Sequence, residues 1–209
     1  KETVFTFCEE YEKAIEAALE TISHFESQAN EAQLIGVHLE GPFISKKRVG
    51  AQPVAYLIEP NVQLFNQWQQ LSGNNIKQVT LAPEVEGGLE LVKALHNQGV
   101  IASIGHSDAT LEEVKHAVAL GVTQGTHLYN QMRPFHHREP GVVGGVLLLP
   151  EVKVEAIADY IHSHPQALEL AYRLKGPKNI ILITDAMRAK GLPYGEYELG
   201  GQAVYVTEA

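Results

Sequence analysis

Cysteine is nearly absent: Cys8 is the only one among 209 residues. No disulfide can form within the chain, and nothing points to an oxidising compartment. Long hydrophobic runs are missing too. No stretch approaches the ~20 apolar residues that span a bilayer, and no signal-peptide core is evident, so the cytoplasm is the expected location and no membrane partner is expected. Basic residues are few, with 16 Lys and Arg against 25 Asp and Glu, a formal charge of -9 and a pI near 5.5. A nucleic-acid surface needs clustered Lys and Arg to displace phosphate counterions. The chain is therefore not expected to bind nucleic acid, and any phosphate it takes is small. CxxC, the GxSxG elbow, the P-loop and GxGxxG are all missing. Redox, serine-nucleophile and nucleotide-cofactor chemistry lose their support with them.

What the chain does contain is an alternation. With 44% hydrophobic residues it can bury a substantial core. Short β-branched runs, too short for independent helices, alternate with amphipathic stretches, which reads as buried parallel strands joined by helices. Strands are predicted at 34–40, 78–82, 100–105, 122–127, 152–157 and 180–184, with a weaker one at 4–7. Helices are predicted at 9–25, 62–71, 88–98, 110–121 and 165–174. The fourth opens on a capping-box pattern, Thr110 to Glu113, and several stop at glycine. A loop rich in His, Arg, Pro and Gly is expected over 128–145. The fold class is α/β: a partial (β/α)8 barrel over residues 1–194, followed from 195 to 209 by the start of a β-rich segment. Closure of such a barrel takes eight strands and typically about 250 residues. One or more strands are therefore expected to lie outside this sequence, and the first residue, Lys1 rather than Met, fits an internal piece of a longer polypeptide.

Four of the apolar runs end on a metal-liking or acidic side chain: Glu40, His106, His127 and Asp185. Carboxyl ends of barrel strands converge on one mouth, where chemistry sits. Glu40 is followed by a turn at Gly41-Pro42. His106 and His127 are 21 residues apart, one strand-helix unit, which sets their imidazoles side by side. Carboxylate and neutral imidazole are the usual zinc ligands, and a catalytic zinc keeps three of them plus water. Glu40, His106 and His127 supply three. Asp185, closing the most apolar strand, suits a general base whose pKa burial would raise. His38 lies on the face of Glu40 and is a weaker ligand candidate, reading first as a hydrogen-bonded core histidine. Arg133, His136, His137 and Arg138 form a cationic cluster, where an Arg can grip a carboxylate or phosphate. Trp68, Phe65 and Leu64 read as core. His24, His96 and His116 read as surface residues.

With these residues in place, HLEGPF at 38–43, LAPE at 81–84, GHSDAT at 105–110, THLYNQM at 126–132, REPG at 138–141 and TDAM at 184–187 resemble, in order and spacing, the motifs of the N-acetylglucosamine-6-phosphate deacetylase family of the amidohydrolase superfamily. The resemblance implies that Glu40, His106 and His127 bind a divalent metal, zinc first, with iron, cobalt or manganese also accepted. It implies Asp185 as the proton-transfer carboxylate and a phosphorylated N-acetyl amino sugar as substrate, cleaved to acetate and glucosamine 6-phosphate. Substrate contacts are implied for Asn130 and the backbone at Gln131, phosphate recognition for Arg138 across the interface of a homodimer, and sugar contact for His162. Gln52 stands where many family members carry a carbonyl-polarising histidine. It can donate a hydrogen bond but carries no charge. The family's first barrel strand, often with a His-x-His metal pair, has no counterpart here. Two other readings stand beside this one. A dihydroorotase-like or hydantoinase-like hydrolase is disfavoured because Glu40 occupies the place of the carboxylated lysine, and the other is a non-catalytic barrel fragment.

Overall fold

The computed structural model describes residues 2–7, 12–30, 32–199 and 201–208, with side chains described from residue 12 onward. Cys8 and residues 9–11 of the expected first helix lie outside the described residues. Seven parallel strands lie side by side in chain order: β1 (Glu2–Phe7), β2 (Gln33–Glu40), β3 (Ile76–Leu81), β4 (Ile101–Ile104), β5 (Val122–Gly125), β6 (Lys153–Ile157) and β7 (Ile180–Ile183). Among the described residues six α-helices connect them: α1 (Glu12–Ser23), α2 (Val62–Leu71), α3 (Gly88–Asn97), α4 (Leu111–Leu120), α5 (Gly141–Leu148) and α6 (Pro165–Lys175). This is the expected partial (β/α) barrel, and the weak strand at its start is a full member, paired in parallel with β2. A separate antiparallel pair, β8 (Gly195–Leu199) and β9 (Gln202–Val206), forms the small sheet anticipated at the end.

The strands alternate with period two, and that alternation builds two different layers. Val37, Leu39, Val79, Leu81, Ala102, Ile104 and Val154 join the helix-covered core with Phe65, Trp68, Leu91, Leu95 and Val114. The intervening residues His38, Glu40, Thr80, Ser103, Gln124, Thr126 and Glu155 are polar and equally buried. Their hydrogen bonds join different strands: Thr80 Oγ1 lies 2.6 Å from both His38 Nε2 and Thr126 Oγ1, and Gln124 Nε2 donates to Glu155 Oε1 at 2.6 Å. One face of the curled sheet therefore packs under helices, and the other forms a polar interior leading to the strand ends. Among the described residues β7 pairs only with β6, and Leu182 on it is 74% exposed. The most apolar run in the sequence is thus a sheet edge here.

The expected loop over 128–145 needs correction. Its last residues begin α5, GVVGGVLL, which is buried from Gly141 to Leu147 and packs against α4 and α6. A helix without a polar face shows no 3.6-residue period, and its three glycines imitate a loop. Gly145 serves helix packing: a Cβ there would lie 2.7 Å from Val114 Cγ1 and 3.0 Å from Val114 Cβ. β-branched Val114 has little rotamer freedom with which to yield. Gly145→Ala is expected to lower stability by up to about 2 kcal/mol, since overpacking of ~1–3 kcal/mol outweighs the ~1 kcal/mol gained in helix propensity. The urea midpoint of the purified variant reads this directly; a midpoint raised above that of the parent would show that α4 and α5 part without cost.

Candidate metal centre

β2 ends on Glu40, while His106, His127 and Asp185 each stand two residues beyond the last strand residue of β4, β5 and β7. The last three have positive φ angles of 48°, 33° and 48°. Non-glycine residues adopt left-handed backbone rarely, and such strain of ~1–3 kcal/mol per residue concentrates at functional sites. Close packing also holds the corner. A Cβ on Gly105, just before His106, would lie 2.8 Å from Thr80 Cγ2 and 2.9 Å from Thr126 Cβ.

The strand ends bring three ligand atoms together. Glu40 Oε1 is 2.9 Å from His106 Nε2 and 3.0 Å from His127 Nε2, and the two nitrogens are 3.0 Å apart. All three side chains are buried. His106 Nδ1 lies 2.8 Å from the Arg48 carbonyl oxygen. A carbonyl only accepts, so Nδ1 carries a proton, and in the neutral ring Nε2 turns a bare lone pair toward Glu40 and His127. Electron pairs focused this closely in a buried pocket repel unless positive charge lies among them, either protons or a cation.

The electrostatics express the same demand. Where protons and not a cation lie between the three atoms, burial pushes the Glu40 carboxyl upward, but hydrogen bonds from the protonated His106 and His127 rings and their charge hold it well below the usual carboxylate range. Burial pushes the His127 imidazole down, yet the bond and charge of Glu40 prevail and raise it above its ordinary value. For Asp185, partial desolvation and then the nearby Glu40 charge raise the carboxyl. Asp185 remains solvent-accessible while the other three are closed in. Ligand atoms ~2.0–2.2 Å from one ion lie about 3 Å apart at a right angle and about 3.3–3.6 Å apart at the tetrahedral angle, so the 2.9–3.0 Å spacing here is at the tight end of that range. The spacing and the two-imidazole, one-carboxylate donor set therefore fit a divalent cation.

The chain is 61% identical to the N-acetylglucosamine-6-phosphate deacetylase of Lysinibacillus sphaericus over 187 residues, covering 90% of this chain and 48% of that protein. It is 52% identical over 181 residues to the deacetylase of the same description from Bacillus subtilis (strain 168), covering 87% of the chain and 46% of the relative. The chain belongs to the N-acetylglucosamine-6-phosphate deacetylase family. It spans about half the length of the curated relatives it matches. No protein-family model matches it. Among solved structures, the Mycobacterium smegmatis deacetylase D267A mutant, in complex with N-acetyl-D-glucosamine-6-phosphate, superposes with a TM-score of 0.92 at 32% identity, over 99% of this chain and 53% of that one. The Thermotoga maritima deacetylase gives 0.89 at 33% identity, over 99% and 56%.

The remaining residues that the family resemblance singles out are distributed around the centre. Gln52 is buried beside Glu40, its Nε2 donating to the Glu40 carbonyl at 3.4 Å. It lies over Gly41, where a Cβ would come within 2.8 Å of Gln52 Oε1. Asn130 Nδ2 donates to the carbonyls of His127 and Leu128 at 3.3 Å each. Gln131, at φ 48°, packs over Gly50 and accepts from the Ser107 N–H through its carbonyl at 3.1 Å. Arg138 stands exposed in a short bridge between His136 and Glu139. Exposed His162 donates from Nδ1 to Asp159 Oδ2 at 2.6 Å, and this bond and two backbone N–H groups hold the Asp159 carboxyl down at about 2. His38 is an interior hydrogen-bonding residue beneath Glu40, bonded to Thr80.

Sequence reasoning passed over Arg48, Glu84 and Asp159, which hold site loops through contacts distant in sequence or unremarkable in type. Of these, only Asp159 carried a local signal, an Asp three residues before His162. Because protons and a cation compete for the same lone pairs, Zn2+ affinity should fall at least about tenfold between about pH 8 and about pH 5.5. Calorimetric titration at the two pH values measures it, and equal affinity would mean that the imidazoles are not the ligands.

Proposed function

We propose that this chain carries the metal centre and the proton-transfer carboxylate of an N-acetylglucosamine-6-phosphate deacetylase, which hydrolyses the acetamide to acetate and glucosamine 6-phosphate. The observation that carries the reading is the convergence of Glu40, His106 and His127 beside Asp185, in a chain 61% identical to a deacetylase of that description. Glu40, His106 and His127 hold one divalent ion, with zinc first and iron, cobalt or manganese compatible with the same donors. When bound, such an ion supplies a Lewis acid for the acetyl carbonyl and lowers the pKa of water toward 7.

The chain's own residues do the rest. Asp185, reachable from solvent and with its carboxyl raised, takes a proton from the attacking water and returns it to the amine nitrogen as the C–N bond breaks. Gln52 offers amide N–H donors next to Glu40 and stabilises developing negative charge on the carbonyl oxygen through dipoles alone. The His162 ring, oriented by Asp159, has Nε2 left to meet a sugar hydroxyl. Asn130 and the Gln131 backbone contact the sugar. Arg138, its guanidinium exposed, takes the phosphate in a two-pronged grip, across the interface of a homodimer. Residues 1–194 form the barrel unit and 195–209 belong to a separate β segment. No helix among the described residues is long and apolar enough to cross a membrane, and the cytoplasm is the location we assign.

The test is acetate release from N-acetylglucosamine 6-phosphate by the metal-loaded protein. Asp185→Asn should cut kcat by about 10²–10⁴-fold, the range for loss of a general acid-base group, with metal content unchanged, while His127→Ala should lose the metal. Equal metal content and equal activity in both variants would contradict the assigned roles. Arg138→Ala should raise KM for the phosphorylated sugar and leave that for the unphosphorylated sugar alone; an unaltered preference would remove Arg138 from the phosphate site.

A further inference from the structure

The GHSDAT segment at 105–110 contributes one residue that neither the metal nor the proton-transfer role absorbs. Asp108 follows His106 by two positions, and Thr110, not Asp108, caps α4. Asp108 instead reaches across to the loop after β2. Its Oδ1 accepts from Arg48 Nε at 2.9 Å and from Arg48 Nη2 at 2.7 Å. Lys47 Nζ donates to Oδ2 at 3.3 Å, and Arg133 Nη1 donates to the Asp108 carbonyl at 3.1 Å. The Asp108 side chain is 13% exposed, so this is a largely shielded carboxylate and not a solvated surface pair.

Arg48 is also the residue whose carbonyl receives the His106 Nδ1 proton. It lies in a loop without helix or strand, held locally by its own N–H donating to the Ser45 carbonyl at 2.9 Å. The guanidinium clamp is the side-chain contact that ties Arg48 to the far side of the site, beside the Ser45 N–H that donates to the His106 carbonyl at 2.9 Å. Asp108 is itself anchored: Glu84 Oε1 accepts from the Asp108 N–H at 2.6 Å, and Glu84 Oε2 accepts from Ser107 Oγ at 2.8 Å. A continuous path therefore runs from Glu84 through Asp108 and the Arg48 side chain to the Arg48 carbonyl and the His106 ring.

We propose that Asp108 is a positioning residue of the metal centre: by clamping the Arg48 guanidinium it holds the Arg48 carbonyl on His106 Nδ1, which fixes the ring's tautomer and aims Nε2 at the ion. The inference rests on the reading of Glu40, His106 and His127 as metal ligands. Partners of this kind behind a ligating histidine set its orientation and basicity, and losing one costs about 10–100-fold in metal affinity.

The experiment is a competitive Zn2+ titration of the chelator-stripped full chain, with the His106 tautomer read from the 15N shifts of its ring. Asp108→Ala and Arg48→Ala should each weaken Zn2+ binding by about 10–100-fold. The double variant should lose no more than the weaker-binding single variant, because both act through one path. Arg48→Lys, which keeps the charge but cannot form the two-donor grip, should fall between, and it decides the matter if Asp108→Ala does not fold. Lys47→Ala should stay within about twofold of the parent. In the metal-free parent the His106 signal should be that of the Nδ1–H form, and in Asp108→Ala a mixture of tautomers. Parent-like affinity in folded Asp108→Ala or Arg48→Lys, or additive losses in the double variant, would overturn the proposal. A parent that binds no Zn2+ would instead remove the metal reading on which the proposal stands.

Discussion

Three electron pairs focused on one buried point are the constraint on which the rest of this structure depends. Glu40 Oε1, His106 Nε2 and His127 Nε2 lie within 3.0 Å of one another, and with its proton on Nδ1 the neutral His106 ring has nothing to donate from Nε2. Such an arrangement is unfavourable on its own terms and becomes favourable when a cation occupies the gap. The surroundings hold it there. Left-handed backbone at His106 and His127 turns both rings inward, close packing around Gly105 fixes the corner before His106, and backbone bonds link Ser45 to His106 and Ser107 to Gln131. The loops after β2, β4 and β5 are thereby coupled, so a ligand cannot easily drift apart from its partners.

The polar interior below the centre is the second consequence. A strand buried on both faces is ordinarily a continuous apolar run. Here the interior face instead carries His38, Gln78, Thr80, Ser103, Gln124, Thr126 and Glu155, bonded across β2 to β6. Burying these groups costs free energy unless each is paired, and the bonds between strands supply most of the pairs, Glu155 Oε2 being a buried oxygen without one. The network sets each strand against its neighbours in a register that a purely apolar interior would specify less sharply. Since Glu40 and the histidines stand at the ends of those strands, precision in the interior becomes precision at the mouth.

Much of this was legible in the sequence, and for a physical reason. Short β-branched runs separated by helical periods define parallel strands, and parallel strands deliver their last residues to one end. Glu40, His106 and His127, whose ligand atoms the structure brings together, could therefore be expected at one end of the sheet. The capping box at Thr110 and Glu113 is local chemistry and formed as written. What stayed hidden depends on contacts between distant positions. Helix α5 has no polar face and is stabilised by burial against α4 and α6, so its glycines resembled a loop. The clamp of Asp108 on Arg48 spans 60 residues, and the backbone strain at the histidines has no signature in residue type. The edge position of β7 likewise inverts the burial that its run of isoleucine and leucine implies.

The central claim is that these three side chains share one ion. An X-ray absorption spectrum at the metal edge of the zinc-loaded protein tests it most directly, because imidazole rings give outer-shell scattering that carboxylates do not. A first shell of nitrogen and oxygen at about 2.0–2.1 Å is expected, with outer scattering from two imidazoles, reduced to one in His106→Ala. A first shell without imidazole, or a spectrum identical in His106→Ala and the parent, would contradict it.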